Sequence, residues 1–445
     1  MAMTGLEIFK LLPKTNCKDC GKPTCLAFAM ALAQKKASLD ECPEVSDEAK
    51  TALSESAAPP IKKVTVGAGD KALSAGEETV LYRHEEKFYH PTAIAVTVDD
   101  ADAEADARLE KAKKLNFIRV GLPMELNAVA VTNSSGDAGK FVETAKKADS
   151  LGLPLVLISD SADNLKAAGE ALADKKPLLA AARDEAGVSA LAPLSKEKGL
   201  PIVVEAGTID ALADLVEKAK AAGAENIFLS FGKAGPRDAF ENLTKLRRLA
   251  LRKGFRTLGF PIFTDTRVSE DVFEAASAAA ISIAKYGGVL VTDLITPEAI
   301  YPLMTLRQNI YTDPQKPIQV EPRLYKVGDA DENSPLFFTT NFSLTYFSVE
   351  GDVEASRIPS WILAVDTEGT SVLTAYSGDK LNEKVVAQAF QKCEVEKHVK
   401  HKKLIIPGHV AVMSGKLEEA LPGWTILVGP KESSYIPRYI QDMWK

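Results

Sequence analysis

Between residues 93 and 292 a short apolar run recurs eight times, and that repetition limits the fold more than any other feature of the chain. The runs are 93–98, 128–132, 155–159, 177–181, 202–205, 227–231, 258–263 and 288–292. Ala/Lys/Glu-rich stretches with helical periodicity lie between most of them, as at 208–221 and 268–285. Eight strand–helix units over about 220 residues predict a (β/α)8 barrel. An open doubly wound sheet is the alternative, but no Gly-x-Gly-x-x-Gly follows the first run. Asp or Gly punctuates the run ends at Asp99, Asp160, Gly207, Gly232, Asp265 and Asp293. Barrel active sites sit at those ends, so the acids are candidates for catalysis; capping of the following helix is the simpler expectation. Residues 133–136 (Asn-Ser-Ser-Gly) and 264–267 (Thr-Asp-Thr-Arg) are the two stretches to test first for contact with a small molecule.

Ahead of the barrel stand four cysteines, Cys17, Cys20, Cys25 and Cys42, spaced C-x2-C-x4-C-x16-C. Thiolates are soft ligands, suited to an iron–sulfur cluster or to zinc. Gly21 and Pro23 let one tight loop wrap a bulky cubane, and Pro43 follows the fourth cysteine as it often does in ferredoxin-type sites. Zinc sites usually show two short knuckles, which these gaps fit poorly. The expectation is a [4Fe–4S] cluster on Cys17, Cys20, Cys25 and Cys42, with zinc and disulfides as alternatives. A capping box, Thr4 with Glu7, starts a short helix that Pro13 ends, and a second helix starts near Cys25. The remainder of the chain holds one further cysteine, Cys393, which together with a cluster points to a reducing cytoplasm.

Composition excludes several classes. The 445 residues carry a formal net charge of −7, and no basic patch with interleaved aromatics is present, so nucleic acid is not an expected partner. No apolar stretch reaches the 18 or so residues that span a bilayer, so no membrane is expected either. The first ten residues lack the cationic and apolar regions of a signal peptide.

Domain boundaries follow from the same reading. Residues 1–58 form the cluster domain, 59–92 a linker and lead-in, 93–312 the barrel, 313–335 a second linker and 336–445 a compact α/β domain. Two stretches across these boundaries, 51–63 and 311–335, are rich in proline and polar residues and poor in apolar periodicity, which suggests tethers between domains that move. In the last domain, strands are expected at 341–350, 361–365, 404–406 and 425–428, with helices at 380–391, from 409 to 421 and at 434–444. Small residues gather at its strand ends: Gly369, Thr370, Ser371, Gly378, Gly408, Gly429 and Ser433. In an open α/β sheet ligands bind outside the carboxyl ends of the strands, where Gly and Ser let backbone approach a flat ligand or a phosphate.

The segment TNCKDCGKPTCLAFAMALAQ with Cys42-Pro43, the domain order, SVLTAYSGDK and LIIPGHVAVMSGKLEEALPGW together resemble the large subunit of corrinoid iron–sulfur proteins. The resemblance spans essentially the whole chain. It implies an α/β architecture of a small [4Fe–4S] domain, a central TIM barrel and a Rossmann-like corrinoid-binding domain. It implies a cobalamin-type corrinoid held by Thr340, Tyr346, Thr370, Ser371, Val372, Leu373, Thr374, Gly378, Gly408, Ala411, Gly429 and Ser433. The implied activity is methyl carriage from methyltetrahydrofolate, through a separate methyltransferase, to acetyl-CoA synthase/CO dehydrogenase. The implied partners also include a small corrinoid protein subunit in a heterodimer and a low-potential electron donor that serves the cluster. No Asp-x-His-x-x-Gly loop occurs, and His409 in Pro-Gly-His has no Asp two residues before it, so no protein histidine is expected below the cobalt. The residue-level rivals are an electron-transfer subunit and a pterin-binding barrel methyltransferase using Asn133 and Asp265.

Overall fold

The computed structural model describes residues 5–33, 37, 41–46 and 59–444. It divides into two compact units. The first holds the chain as far as Asn116 and again over Glu125–Tyr311; the second comprises Phe117–Met124 and Thr312–Lys445. Thr4 and residues 47–58, which include most of the Ala/Ser/Pro/Lys stretch 51–63, lie outside the described residues.

In the first unit the eight apolar runs become eight parallel strands of a closed barrel. A two-stranded antiparallel hairpin, β1 (Val64–Val66) and β2 (Leu73–Ala75), precedes them. Strand β3 (Ala93–Asp99) opens the barrel. The chain then forms a small hairpin, β4 (Asn116–Arg119) and β5 (Leu122–Glu125), whose residues Phe117–Met124 belong to the second unit. The barrel continues through β6 (Ala128–Thr132), β7 (Leu155–Ile158), β8 (Leu178–Ala182) and β9 (Ile202–Glu205). It closes through β10 (Ile227–Ser230), β11 (Ile262–Asp265) and β12 (Gly287–Thr292), which pairs with β3.

The period of two along each strand decides the layers. On β6, Ala128 and Ala130 face the barrel interior with Ala93, Ala95, Phe228 and Phe263. Val129 and Val131 face outward and pack on the helices with Phe141, Ala145 and Leu157. Residues 59–92 are more than a lead-in. Val64, Val66 and Ala75 of the first hairpin join the interior cluster and plug one end of the barrel. Arg247 is buried, 4% exposed, with its guanidinium against Glu78 of this same segment.

The strand-end acids do not cap the helices. Caps come from residues deeper in the loops: Asp137, Ser161, Asp184, Thr208 and Asp271 each accept a backbone N–H of the helix they start. This overturns the capping expectation for Asp99, Asp160, Asp265 and Asp293.

The second unit is built on a five-stranded sheet in the order β13-β15-β14-β16-β17. Its strands are β13 (Leu324–Val327), β14 (Leu336–Thr340), β15 (Ser360–Val365), β16 (Lys403–Ile406) and β17 (Thr425–Val428). Only β13 runs antiparallel, on the edge beside β15. Helices Ser343–Ser356 and Ile436–Met443 pack on one face, around Phe337, Tyr346 and Ile405. The opposite core, around Phe338, Leu363 and Leu404, takes in Val386 and Leu417 from helices Glu383–Lys392 and Ser414–Ala420. Two sequence expectations change here. Residues 341–350 are not a strand: the strand ends at Thr340, and Ser343, Tyr346, Val353 and Ser356 are buried at helical spacing. The stretch 313–335 contains a short edge strand, β13, and Val320 N–H donates to Asn341 O at 2.9 Å, so part of it is fixed to the sheet rather than acting as a tether.

Candidate functional site

The cysteine loop is shaped by its backbone. Asn16, Lys18 and Gly21 adopt positive φ, which turns the chain sharply between Pro13 and the second helix, Cys25–Ala33. Asn16 fixes the start of that helix: its Oδ1 accepts the Cys25 N–H at 2.8 Å, and its own N–H points at Cys25 Sγ, 3.4 Å away. Cys25 and Cys42 are buried with Ile8, Leu12, Phe28 and Ala29; Cys20 packs on the same group, and Cys17 is exposed.

Burial pushes the Cys42 thiol up, a backbone hydrogen bond from Glu44 pulls it down, and Cys20, Cys17 and Cys25 are near enough to push it up further. The four sulfurs therefore share one neighbourhood. Among the described residues no three His, Cys, Asp or Glu side chains close around a single-ion position. A cubane binds each thiolate through a different iron, so its ligands stand further apart than those of one tetrahedral ion. Four soft donors, two buried in a small apolar core, one half-buried against it and one exposed, fit the ligand set of an iron–sulfur cluster.

In the second unit the chain leaves β14 to build β15 on one side and later β16 on the other. The strand order reverses between β14 and β16, and a doubly wound sheet binds ligands at the carboxyl end of that switch point. A cleft of about 1060 Å³, counting its open mouth, lies there. Thr339, Ile406 and Pro407 form its floor, Leu344, Thr345 and Ser348 one wall, and Ser371–Leu373 and Gly429–Ser433 the rim.

Of the twelve expected cofactor residues, the cleft is lined by Ser371, Val372, Leu373, Gly429 and Ser433. The others lie around it. Thr370 closes a turn with Thr367, and Thr374 accepts a hydrogen bond from Ser371 at 3.0 Å. Gly378 ends helix Val372–Ser377, and Ala411 sits in the helical turn Gly408–Met413. A Cβ on Gly408 would come within 2.6 Å of Gly429 O, so this glycine lets two strand-end loops approach each other rather than a ligand. Tyr346 is buried against Tyr325, 4.5 Å between rings, and its hydroxyl donates to Glu350 at 2.9 Å. Burial holds that phenol above its ordinary range.

Thr339 and Thr340 are the telling pair. Both are buried, 1% and 0% exposed, and neither hydroxyl has a hydrogen-bond partner. Such an orphan is costly, about 1–3 kcal/mol, unless a ligand supplies the partner. Thr339 lines the cleft. The sequence missed Thr339, Thr345, Ser348 and Lys431; the signal for Thr345 and Ser348 is polar residues one helical turn apart, visible only once 343–356 is known to be a helix. His409 also lines the cleft, with Nε2 3.7 Å from Glu432 Oε1.

The barrel's strand ends enclose a second, polar cleft of about 1420 Å³ with its open mouth. Here the groups bind one another. Arg267 pairs with Asp265 at 2.6 Å and donates to Thr132 Oγ1 at 2.9 Å. Arg183 bridges Asp160 and Glu205. The amide of Asn133 donates to Asp100 and accepts from Ser159 and Asn164.

Among the described residues no helix is long and apolar enough to cross a membrane. The family described as "CO dehydrogenase/acetyl-CoA synthase delta subunit" matches residues 63–440, and one described as "Putative Fe-S cluster" matches residues 12–44. The corrinoid/iron-sulfur protein large subunit of Moorella thermoacetica is 46% identical over 98% of this chain and 98% of its own. The acetyl-CoA decarbonylase/synthase complex subunit gamma of Methanothermobacter thermautotrophicus is 37% identical over 100% of this chain and 99% of its own. Among solved structures, a dihydropteroate synthase from Thermus thermophilus is 17% identical over 56% of this chain and 99% of that one, with a TM-score of 0.37. The chain belongs to the family of corrinoid/iron-sulfur protein large subunits and acetyl-CoA decarbonylase/synthase gamma subunits.

Proposed function

We propose that this chain is a cytoplasmic methyl-group carrier of acetyl-CoA synthesis, with a corrinoid in the cleft of the second unit and a [4Fe–4S] cluster on Cys17, Cys20, Cys25 and Cys42. Its methyl group comes from methyltetrahydrofolate by way of a methyltransferase and goes to acetyl-CoA synthase/CO dehydrogenase. A small corrinoid protein subunit and a low-potential electron donor complete the set of partners. The corrinoid, when bound, supplies a nucleophilic cobalt for methyl transfer, and the cluster supplies low-potential electrons that restore it.

The chain's own residues supply position and environment. The observation that carries the reading is the switch-point cleft with the unsatisfied Thr339 hydroxyl on its floor. Thr339, Thr345 and Ser348 offer hydroxyls to the polar substituents of a corrinoid. Ser371, Val372 and Leu373 sit where helix Val372–Ser377 begins, so the rim meets the ligand with a backbone turn and small side chains. Exposed Leu344 and Leu373 give the mouth an apolar border for a flat macrocycle. Thr340, Tyr346, Thr370, Thr374, Gly378, Gly408 and Ala411 act from behind this surface, by holding the loops that form it.

The visible spectrum of anaerobically purified protein tests this. Corrinoid bands over a broad cluster absorption are expected; cluster absorption alone would make the chain an electron carrier. The axial site has its own test. His409→Ala is expected to leave the cobalt EPR spectrum without any loss of nitrogen coupling, because His409 lies on the cleft rim beside Glu432 and no Asp-x-His-x-x-Gly loop presents it. Nitrogen splitting that disappears in the variant would place a histidine below the cobalt.

A further inference from the structure

The loop that carries Ser371–Leu373 into the cleft is held by one side chain, and that side chain belongs to no part of the cleft. Asn341 follows Thr340 at the end of β14 and is 0% exposed. Its Oδ1 accepts Thr367 N–H at 2.9 Å and Gly369 N–H at 3.1 Å. Backbone N–H groups can only donate, so the atom facing them must be the amide oxygen. The NH2 group therefore faces the other way, and it donates to Gln319 Oε1 at 3.1 Å and Asp366 Oδ1 at 3.2 Å. All its principal bonds run to the 366–369 turn or to the 318–320 segment.

That turn needs holding. Glu368 and Gly369 both have positive φ, 55° and 71°, a conformation that a non-glycine residue such as Glu368 rarely adopts. Glu368 N–H donates to Asp366 Oδ1 at 3.0 Å, and Thr370 Oγ1 donates to Thr367 O at 2.7 Å. A Cβ on Gly369 would meet the Gln319 side chain at 2.6 Å, so Gln319 closes the turn from outside. The chain then passes straight into Ser371, the residue before helix Val372–Ser377.

We propose that Asn341 is a positioning residue for the cofactor: it latches the 366–370 turn between β15 and the 318–320 segment, and so sets Ser371, Val372 and Leu373 at the height the corrinoid meets. The proposal rests on the corrinoid reading of the cleft. A pure packing role would need only the volume of the side chain. A latch needs an acceptor on one side and a donor on the other.

Two variants separate these roles. Asn341→Ala removes both functions. Asn341→Asp keeps the volume and the acceptor, but sets a carboxylate against Asp366, with Glu368 nearby paired to Lys380 at 2.5 Å. Like charges raise each other's pKa, so the introduced carboxyl regains a donor O–H on mild acidification. The probe is cob(II)alamin under argon, which has no group titrating in the range used, added to the full-length chain with its cluster in place. Hydrogen exchange is followed on the same samples.

Asn341→Ala is expected to bind the probe about tenfold to a hundredfold more weakly, with faster exchange at Thr367 and Gly369 and unchanged exchange in β14 and β15. Asn341→Asp is expected to bind weakly at about pH 8 and to recover toward wild type at about pH 5.5, each affinity taken relative to wild type at the same pH because His409 also lines the cleft. Wild-type affinity in both variants overturns the latch, and so does an Asn341→Asp defect that is the same at both pH values. Failure of the wild-type chain to take up the probe instead overturns the corrinoid reading of the cleft; accelerated exchange at Thr367 in Asn341→Ala would still be seen, so the two failures are distinguishable.

Discussion

Cys20→Ala is expected to abolish reductive reactivation while methyl transfer by pre-reduced protein continues at close to the wild-type rate. The cysteines belong to the first unit and the cleft to the second, so on the proposed reading the substitution removes a cluster ligand and alters no residue that lines the cleft. Cys20 is half-buried against the small core of Ile8, Leu12, Phe28 and Ala29. The two helices there are 7 and 9 residues long. Isolated helices of that length are marginal in water, so a cluster on the proposed ligands would supply part of this domain's stability. Iron content is expected to fall sharply and the loop 13–25 to become sensitive to protease. The measurement compares two rates in one preparation: reactivation by a low-potential donor, and single-turnover methyl transfer after chemical pre-reduction. A parallel fall in both would refute the division of labour between the two sites.

Arg247→Ala is expected to give the largest stability loss in the barrel, about 3–5 kcal/mol, because it strands a buried charge. The guanidinium lies 3.3 Å from Glu78 Oε2 and donates to Val80 O at 2.7 and 3.1 Å. It also stacks over Tyr286, 4.6 Å from its ring centroid, with Phe88 at 5.5 Å. Glu78 is 8% exposed and orders its own segment by accepting Tyr89 N–H at 2.9 Å. Removing arginine alone leaves that carboxylate buried without its cation. The double variant Arg247→Met with Glu78→Gln is expected to regain much of the loss, since a neutral pair no longer carries the penalty. Urea unfolding followed by far-ultraviolet circular dichroism checks both. A single-variant loss below about 1 kcal/mol would mean water reaches the Glu78 carboxylate. Cofactor uptake is expected to be unchanged, because Arg247 lies in the other unit.

How legible these features were depended on whether local pattern and tertiary burial agreed. The barrel strands were legible because each is a short apolar run and most are bounded by Asp, Gly or Pro. The expected and observed bounds coincide at β6 and β9 and differ by a few residues elsewhere. Residues 341–350 misled, because Phe342, Leu344 and Tyr346 alternate as a strand does and Thr345 and Val349 are β-branched. Packing decided otherwise: Tyr346, Val353 and Ser356 fall on one helical face, and the preceding Leu336–Thr340 fills the sheet. That single misreading hid one whole wall of the cleft. That the four cysteines come together was legible from their spacing alone, since a short loop between them needs no periodicity. The strand-end acids were not, because capping and cavity lining require the same residue types, and only the observed caps at Asp137, Ser161 and Asp271 tell them apart. Asn341 left no sequence signal. Its importance comes from Thr367, Gly369 and Gln319 arriving from both directions along the chain.

The central claim is that one chain holds both the cluster and the corrinoid. Metal content of protein purified anaerobically from its native complex tests this most directly, read together with the visible spectrum. The account predicts about four iron atoms and about one cobalt atom per chain, with the cobalt retained after the partner subunits are stripped away and the iron lost in Cys20→Ala. Iron at that level with no cobalt in the stripped chain would contradict it.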